Sequence, residues 1–344
     1  MRRSVLLALA LTAAAAAAVT ASAASRWQQL PTSPLGTPIE TVGVWTGKEM
    51  VVFARTQPHP PYSVDVAAAY HPATHDWSTL TPLPGPKGTY EGLYQALWTG
   101  KEMIVLGPLD AQAYNPATNH WRRLKTGGTA NSLLAWTGRR VIAWGGGCCG
   151  DASAAGSIFD PKANRWQPIA ASPLAPSNQP QGAWDGHEMV VLVSGIDPFG
   201  QPYPASYARA AAYDPATDRW RRIARPPARR RGTGVWDGRD VLFVGGTRTG
   251  LAYSPASDEW RTLPRMPARR REATVIRAGG RVLVWGGSST GRTGLEYVPG
   301  ANRWFSFGTA PIKSREFPAV AWTGSTFLIF GGLNAPADGA SWTP

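Results

Sequence analysis

Three short signatures recur in fixed order along almost the whole chain, and no other feature restricts its fold as much. The first is Trp followed by Thr or Asp and then Gly, leading into an apolar stretch. It starts at Trp45, Trp98, Trp136, Trp184, Trp236 and Trp322, with Ile276 standing in for Trp in the sixth copy. Successive copies lie 53, 38, 48, 52, 40 and 46 residues apart. The second is an aromatic two residues before Pro, usually across a short polar residue, from Tyr70, Tyr114, Phe159, Tyr213, Tyr253 and Tyr297, with a degenerate copy at Trp342. The third is Trp with an aliphatic residue or Phe three residues on, at Trp77, Trp121, Trp166, Trp220, Trp260 and Trp304.

Each signature has a mechanical reading. Thr-Gly or Asp-Gly after Trp makes a tight hairpin, because Gly tolerates positive φ. The runs that follow, such as Val241-Leu242-Phe243-Val244, suit strands buried on both faces. Many end in Gly-Gly (145/146, 245/246, 286/287, 331/332), where a side chain would block the turn. Asp or Asn before Pro starts a turn that ends a third strand, and the later Trp opens a fourth. Four short strands per unit at this period predict an all-β fold, a seven-bladed β-propeller of four-stranded blades. The last copy stops at Ser341-Trp342-Thr343-Pro344, after its third strand. Trp27-Gln28-Gln29-Leu30 carries the missing third signature, so the N-terminal strand is expected to complete the last blade and close the ring.

The order Gly-Gly, Tyr, Trp across residues 26–344 resembles the kelch repeat of the galactose oxidase/kelch-like propeller superfamily, in its bacterial exported form. The double glycines are lost in the first, second and fourth copies. The resemblance implies a kelch-type propeller and no single activity, since such propellers serve as enzymes and as binding modules.

Arg2 and Arg3, the apolar stretch from Val5 to Val19 and the small residues Ala21-Ser22-Ala23 read as a secretory signal peptide over 1–23, leaving a propeller over 24–344. The apolar run is shorter than the roughly 20 residues of a spanning helix, so a secreted, extracellular protein with no membrane insertion after cleavage is expected. The formal charge of +13 is mostly arginine. It disfavours a cationic partner and permits an acidic one. Export and the shortness of the arginine clusters argue against nucleic acid.

Strand order puts the a–b and c–d turns on one face and the b–c and d–a loops on the other. The first set is short and stereotyped, the second irregular, which is where function usually lives. His71, His75, His120 and His187 fall on the stereotyped face and only His59 on the irregular one. The clustered His and Tyr of a galactose oxidase-type copper site cannot be assembled, and we expect no metal and no cofactor. Arg231 and Arg271-Glu272, each in a cluster after Pro-Ala, and Arg315-Glu316 in the matching region of the last copy, sit where inner strands begin. Guanidinium forks there would bind carboxylate, sulfate or phosphate, or would pair structurally between blades. Tyr203 and Tyr207 in a long loop, and His59 and Tyr62 in the equivalent loop of the first copy, would add a carbohydrate or peptide platform, or tuck down to stabilise those loops. Cys148 and Cys149 lie in a glycine-rich stretch. Consecutive Cα atoms about 3.8 Å apart make a vicinal disulfide strained. Export favours that bond over two free thiols.

No Ser-His-Asp order, phosphate loop or metal spacing is present. The reading that follows is a monomeric binding module for an extracellular protein or an acidic glycan. Its rivals are an enzyme on acidic sugars of mutarotase or epimerase type, with Glu272 or Glu316 carrying the proton, and a structural envelope component.

Overall fold

The computed structural model describes residues 26–59, 62–83, 93–107, 110–128, 131–147, 151–193, 209–228, 232–270, 272–287 and 291–344. Seven antiparallel sheets of four strands each, in order a-b-c-d, form the seven blades of a propeller. The inner a strands are Pro38–Trp45, Gln95–Trp98, Leu133–Trp136, Gln181–Trp184, Thr233–Trp236, Thr274–Ala278 and Ala319–Trp322. The b strands are buried along their length, as their unbroken apolar runs predict: Met103–Leu106, Val141–Trp144, Val241–Val244 and Phe327–Phe330 show no exposed residue. Seven hydrophobic clusters fill the seams between adjacent blades, one per seam. A blade alone cannot cover both of its faces, and the ring covers all fourteen by stacking each blade on two neighbours.

The ring closes through the N-terminus. Arg26–Gln29 pairs antiparallel with Gly339–Thr343, Trp27 opposite Trp342. Trp27 Nε1 also donates to the Phe307 carbonyl at 3.0 Å, and Leu30 is buried in the seam between the seventh and first blades.

The second and third signatures turn out to be two ends of one latch. At the c–d turn Asn119, Asn164, Asp218, Asp258 and Asn302 take left-handed φ of 46–54°, a region Asn and Asp tolerate. Asp218 Oδ1 accepts from the Tyr213 hydroxyl at 2.7 Å and from the Ala170 amide of the preceding blade at 2.9 Å. The carbonyl of that same Ala170 receives Trp220 Nε1 at 2.9 Å. Ala224 is held in the same way by Asp258 and Trp260, and Lys125 by Asn164 and Trp166. Trp27, Trp77 and Trp304 likewise give Nε1 to a carbonyl of the preceding blade.

One register differs from the sequence reading. Arg277 lies opposite Val282, as Trp136 lies opposite Val141. Arg277, not Ile276, therefore occupies the Trp position of the sixth blade. An apolar residue is the natural stand-in by chemistry, but turn length sets register, and it places the arginine there.

Candidate functional site

The inner strands enclose a channel of about 1200 Å³. Its wall is layered, with one residue per blade in each layer. Counting back five residues from each Trp position gives the mouth on the b–c/d–a face: Glu40, Leu93, Asn131, Gln179, Glu272 and Phe317, all lining the channel. The fifth-blade member, Arg231, lies outside the described residues. Counting back two gives only Gly, Ala, Leu or Val, including Gly43, Gly182 and Gly234. The channel is thus polar at one mouth and apolar toward the other. Glycine is required at Gly234 in this inner layer, since a Cβ there would meet the Gly182 carbonyl oxygen at 2.2 Å.

Phe317 is the most exposed large apolar side chain among the described residues, at 44%. It holds a left-handed φ of 48°, a conformation that a bulky residue keeps only when its surroundings impose it. Asn131 and Glu272, at the same position of the third and sixth blades, share that conformation with φ of 59° and 56°. The three together build a rim that presents side chains inward.

The arginines fall into two groups. Counted from the Trp positions, the equivalent residues are 229, 270 and 315, each seven residues back, so Arg231, Arg271 and Arg315 are not equivalent to one another. Arg231 and Arg271 lie outside the described residues. Arg315 is buried: its Nη1 donates to Asp338 Oδ1 at 2.5 Å, and its Nε donates to the Lys313 carbonyl at 3.0 Å. Arg270 is equally buried, donating to the Thr293 carbonyl and hydroxyl at 2.7 and 3.0 Å, and burial pulls its pKa down. The carbonyls of residues 270 and 315 accept from Gly246 and Gly287 of the preceding blade at 2.6 and 3.4 Å. A Cβ on Gly286 would stand 2.6 Å from the Arg315 oxygen, so the double glycine exists where the next blade's carbonyl closes on it.

Around these clamps lies an electropositive shoulder. Arg248 and Arg269 bind main-chain oxygens of Met266 and Gly246 at 3.1 and 3.0 Å, and Arg265, Arg292 and Lys313 are exposed. On the opposite face arginines meet acids instead: Arg122 with Glu102, Arg221 with Glu188, Arg261 with Asp240.

Across the mouth, at the seam of the first and second blades, sits a buried polar cluster that the sequence reading did not single out. Glu40, Arg55 and Asp65 face each other in one cross-strand row over strands a, b and c. Arg55 binds Asp65 bidentately at 2.8 and 3.1 Å, and its Nη2 also meets the Tyr94 hydroxyl. Tyr94 donates that hydroxyl to Asp110 at 2.8 Å and its amide to Glu40 Oε1. Glu40 is only 6% exposed. Burial pushes its carboxyl up to about 7, against the pull of the Tyr94 amide and Arg55. Tyr94 is likewise raised by burial. The signal in the sequence was a charge at a strand position otherwise apolar, as in Val51-Val52-Phe53-Ala54-Arg55.

Of the other residues singled out, Glu272 lines the mouth, and the Glu316 carbonyl accepts from Leu333 at 2.9 Å. His59 and Tyr62 pair as the last residues of the first b–c hairpin, and their side chains lie outside the described residues. Tyr203, Tyr207, Cys148 and Cys149 lie outside them altogether. Of the histidines on the opposite face, His75 bonds the Tyr70 hydroxyl at 2.9 Å and His71 sits 3.3 Å from Glu49.

No family model matches the sequence. No curated protein matches it either. Among solved structures it is similar to a fungal alcohol oxidase of the AA5 family in complex with copper, at a TM-score of 0.66 and 14% identity, covering 93% of this chain and 76% of that one. The likeness is one of fold. Among the described residues no three His, Cys, Asp or Glu side chains are grouped to hold a metal ion.

Proposed function

We propose that the chain is an exported kelch-type propeller acting as a binding module for an acidic glycan at the b–c/d–a mouth. The observation that carries this reading is the shoulder of the fifth and sixth blades. There Arg248, Arg269 and Arg270 are ligated by neutral carbonyl or hydroxyl oxygens, so their charge stays uncompensated beside the exposed Arg265, Arg292 and Lys313. A carboxylate or sulfate placed there gains charge-assisted hydrogen bonds without displacing an existing carboxylate partner. Phe317 offers a ring face at the same rim, and Asn131 and Gln179 offer amides, the groups that sugar hydroxyls and ring faces use. The leader over residues 1–23 belongs to this reading, since it would deliver the module outside the cell.

The test is binding of the mature protein to uronate, sulfated and neutral oligosaccharides, for wild type and for the pair Arg265→Glu and Arg292→Glu. Neither side chain makes a hydrogen bond or ion pair among the described residues, so both variants should keep the fold. Acidic oligosaccharides should bind with a clear salt dependence and weaken about tenfold or more in the double variant. Equal affinity for neutral and acidic probes would refute the proposal.

A further inference from the structure

We propose that Glu40 is a proton-operated gate on the channel mouth, admitting an anionic ligand group when uncharged and repelling it when ionised. The proposal rests on the acidic-ligand reading above and adds its control. Glu40 stands in the mouth layer of the channel wall, across from the arginine shoulder. Arg55 supplies only part of a counter-charge, and burial outweighs it. Arg55 on strand b is committed by two bonds to Asp65 on strand c and by a third to Tyr94. Asp110 of the second blade takes the Tyr94 hydroxyl. On the seventh-blade side, Asn334 bonds the Ile39 carbonyl and Leu333 the Glu316 carbonyl, and that segment brings Glu316 and the Arg315–Asp338 pair, itself already neutralised.

Three carboxylates thus share one guanidinium within a buried cluster. Keeping all three ionised means holding two uncompensated charges out of water, which is costly. Asp65 holds the ion pair with Arg55 and Asp110 accepts the Tyr94 hydroxyl's hydrogen bond, whereas Glu40 receives only the Tyr94 amide, so the group that gives way is Glu40. The rise of its pKa to about 7, with burial as the largest cause, agrees with that assignment. Linkage then fixes the behaviour. An anion entering the mouth favours the protonated form, so binding takes up a proton near neutral pH, and raising the pH expels the ligand. If an anion shifts Glu40 by about one further pH unit, affinity changes about tenfold between the acid and alkaline limits.

The experiment is calorimetric titration of the full mature protein with a uronate oligosaccharide, at about pH 5.5, about pH 7.5 and about pH 8.5, in buffers of different ionisation enthalpy. Wild type should bind about tenfold more weakly at the higher pH and take up protons near neutrality. Glu40→Gln, which cannot ionise, should bind about tenfold tighter than wild type at the higher pH and show neither effect. Wild-type affinity independent of pH, or the same pH dependence in Glu40→Gln, would overturn the gate and leave acidic-ligand binding standing. No binding by either protein at either pH would overturn both. The buffer dependence of the wild-type heat is read without any variant, so a misfolded Glu40→Gln does not rescue the proposal.

Discussion

Replacing Glu40 by Gln tests the proton at the first seam without any ligand. The folded protein holds that proton more tightly than the unfolded chain, since the carboxyl rises from an ordinary 4.5 to about 7. Between those values the native state carries more protons than the unfolded state, so stability falls as pH rises. Below the unfolded value both states are protonated and there is no penalty. Above about 7 the penalty is complete. At 1.36 kcal/mol per pH unit the shift amounts to about 3 kcal/mol. An unfolding entropy of about 2.1 cal/mol/K per residue, over roughly 320 residues, makes each kcal/mol worth about 1.5 °C. Glutamine keeps an acceptor for the Tyr94 amide and removes the charge. Scanning calorimetry should therefore show Glu40→Gln melting about 5 °C above wild type near pH 8.5 and level with it near pH 4.5. Other titrating groups are common to both proteins and cancel in the difference. An offset that is the same at both pH values would refute the reasoning.

Two further outcomes follow from the ring and its latches. Deleting residues 24–31 removes the strand opposite Gly339–Thr343 and the Trp27 bond to Phe307, and should lower the melting temperature or cause aggregation; an unchanged melting curve would rule out closure by this strand. Asp218→Ala loses the bonds to Tyr213 and Ala170 and leaves Ala at a φ of 52°, and should cost about 2–3 kcal/mol in denaturant unfolding. Asp218→Asn should recover most of that loss, and equal stability of the two variants would show that the latch carries no weight.

The architecture was legible because every element of it repeats. Trp and Asx recur at most of the places where one blade meets the next, and Gly-Gly at four of the seven, so a single chain displays the same contact several times over. The Trp27 signature stood where a strand was missing, and Arg26–Gln29 fills that place. The Glu40 cluster was not legible in the same way, because it occurs once. Its members come from positions 40, 55, 65, 94 and 110, on two blades, and only the cross-strand register brings the first three into a row. Periodicity marks Arg55 as anomalous in an apolar strand but cannot name its partner. The arginines show the opposite failure. Their clustering is legible, but Arg231, Arg271 and Arg315 stand five, six and seven residues before the Trp positions of their blades, an offset that the clusters alone do not show. One residue along a strand exchanges one side of the sheet for the other. The register makes 270 and 315 equivalent, and both are buried clamps.

That outcome bears on where the formal charge of +13 ends up. If the arginines were either structural or available to a ligand, burying Arg270 would remove it from the electrostatics of the mouth. A guanidinium paired with a carboxylate does leave the field, as Arg261 does beside Asp240 at 2.7 Å on the opposite face. Arg270 instead gives its Nη2 hydrogen bonds to the carbonyl and hydroxyl of Thr293, which carry no net charge. Its positive charge persists, in surroundings that screen it less than water would. Arg248 and Arg269 repeat the arrangement with the oxygens of Met266 and Gly246. The same bonds that fix the loops of the fifth and sixth blades therefore also sum their charges at one side of the channel. A side chain can build the mouth and polarise it at once, provided its partners are neutral.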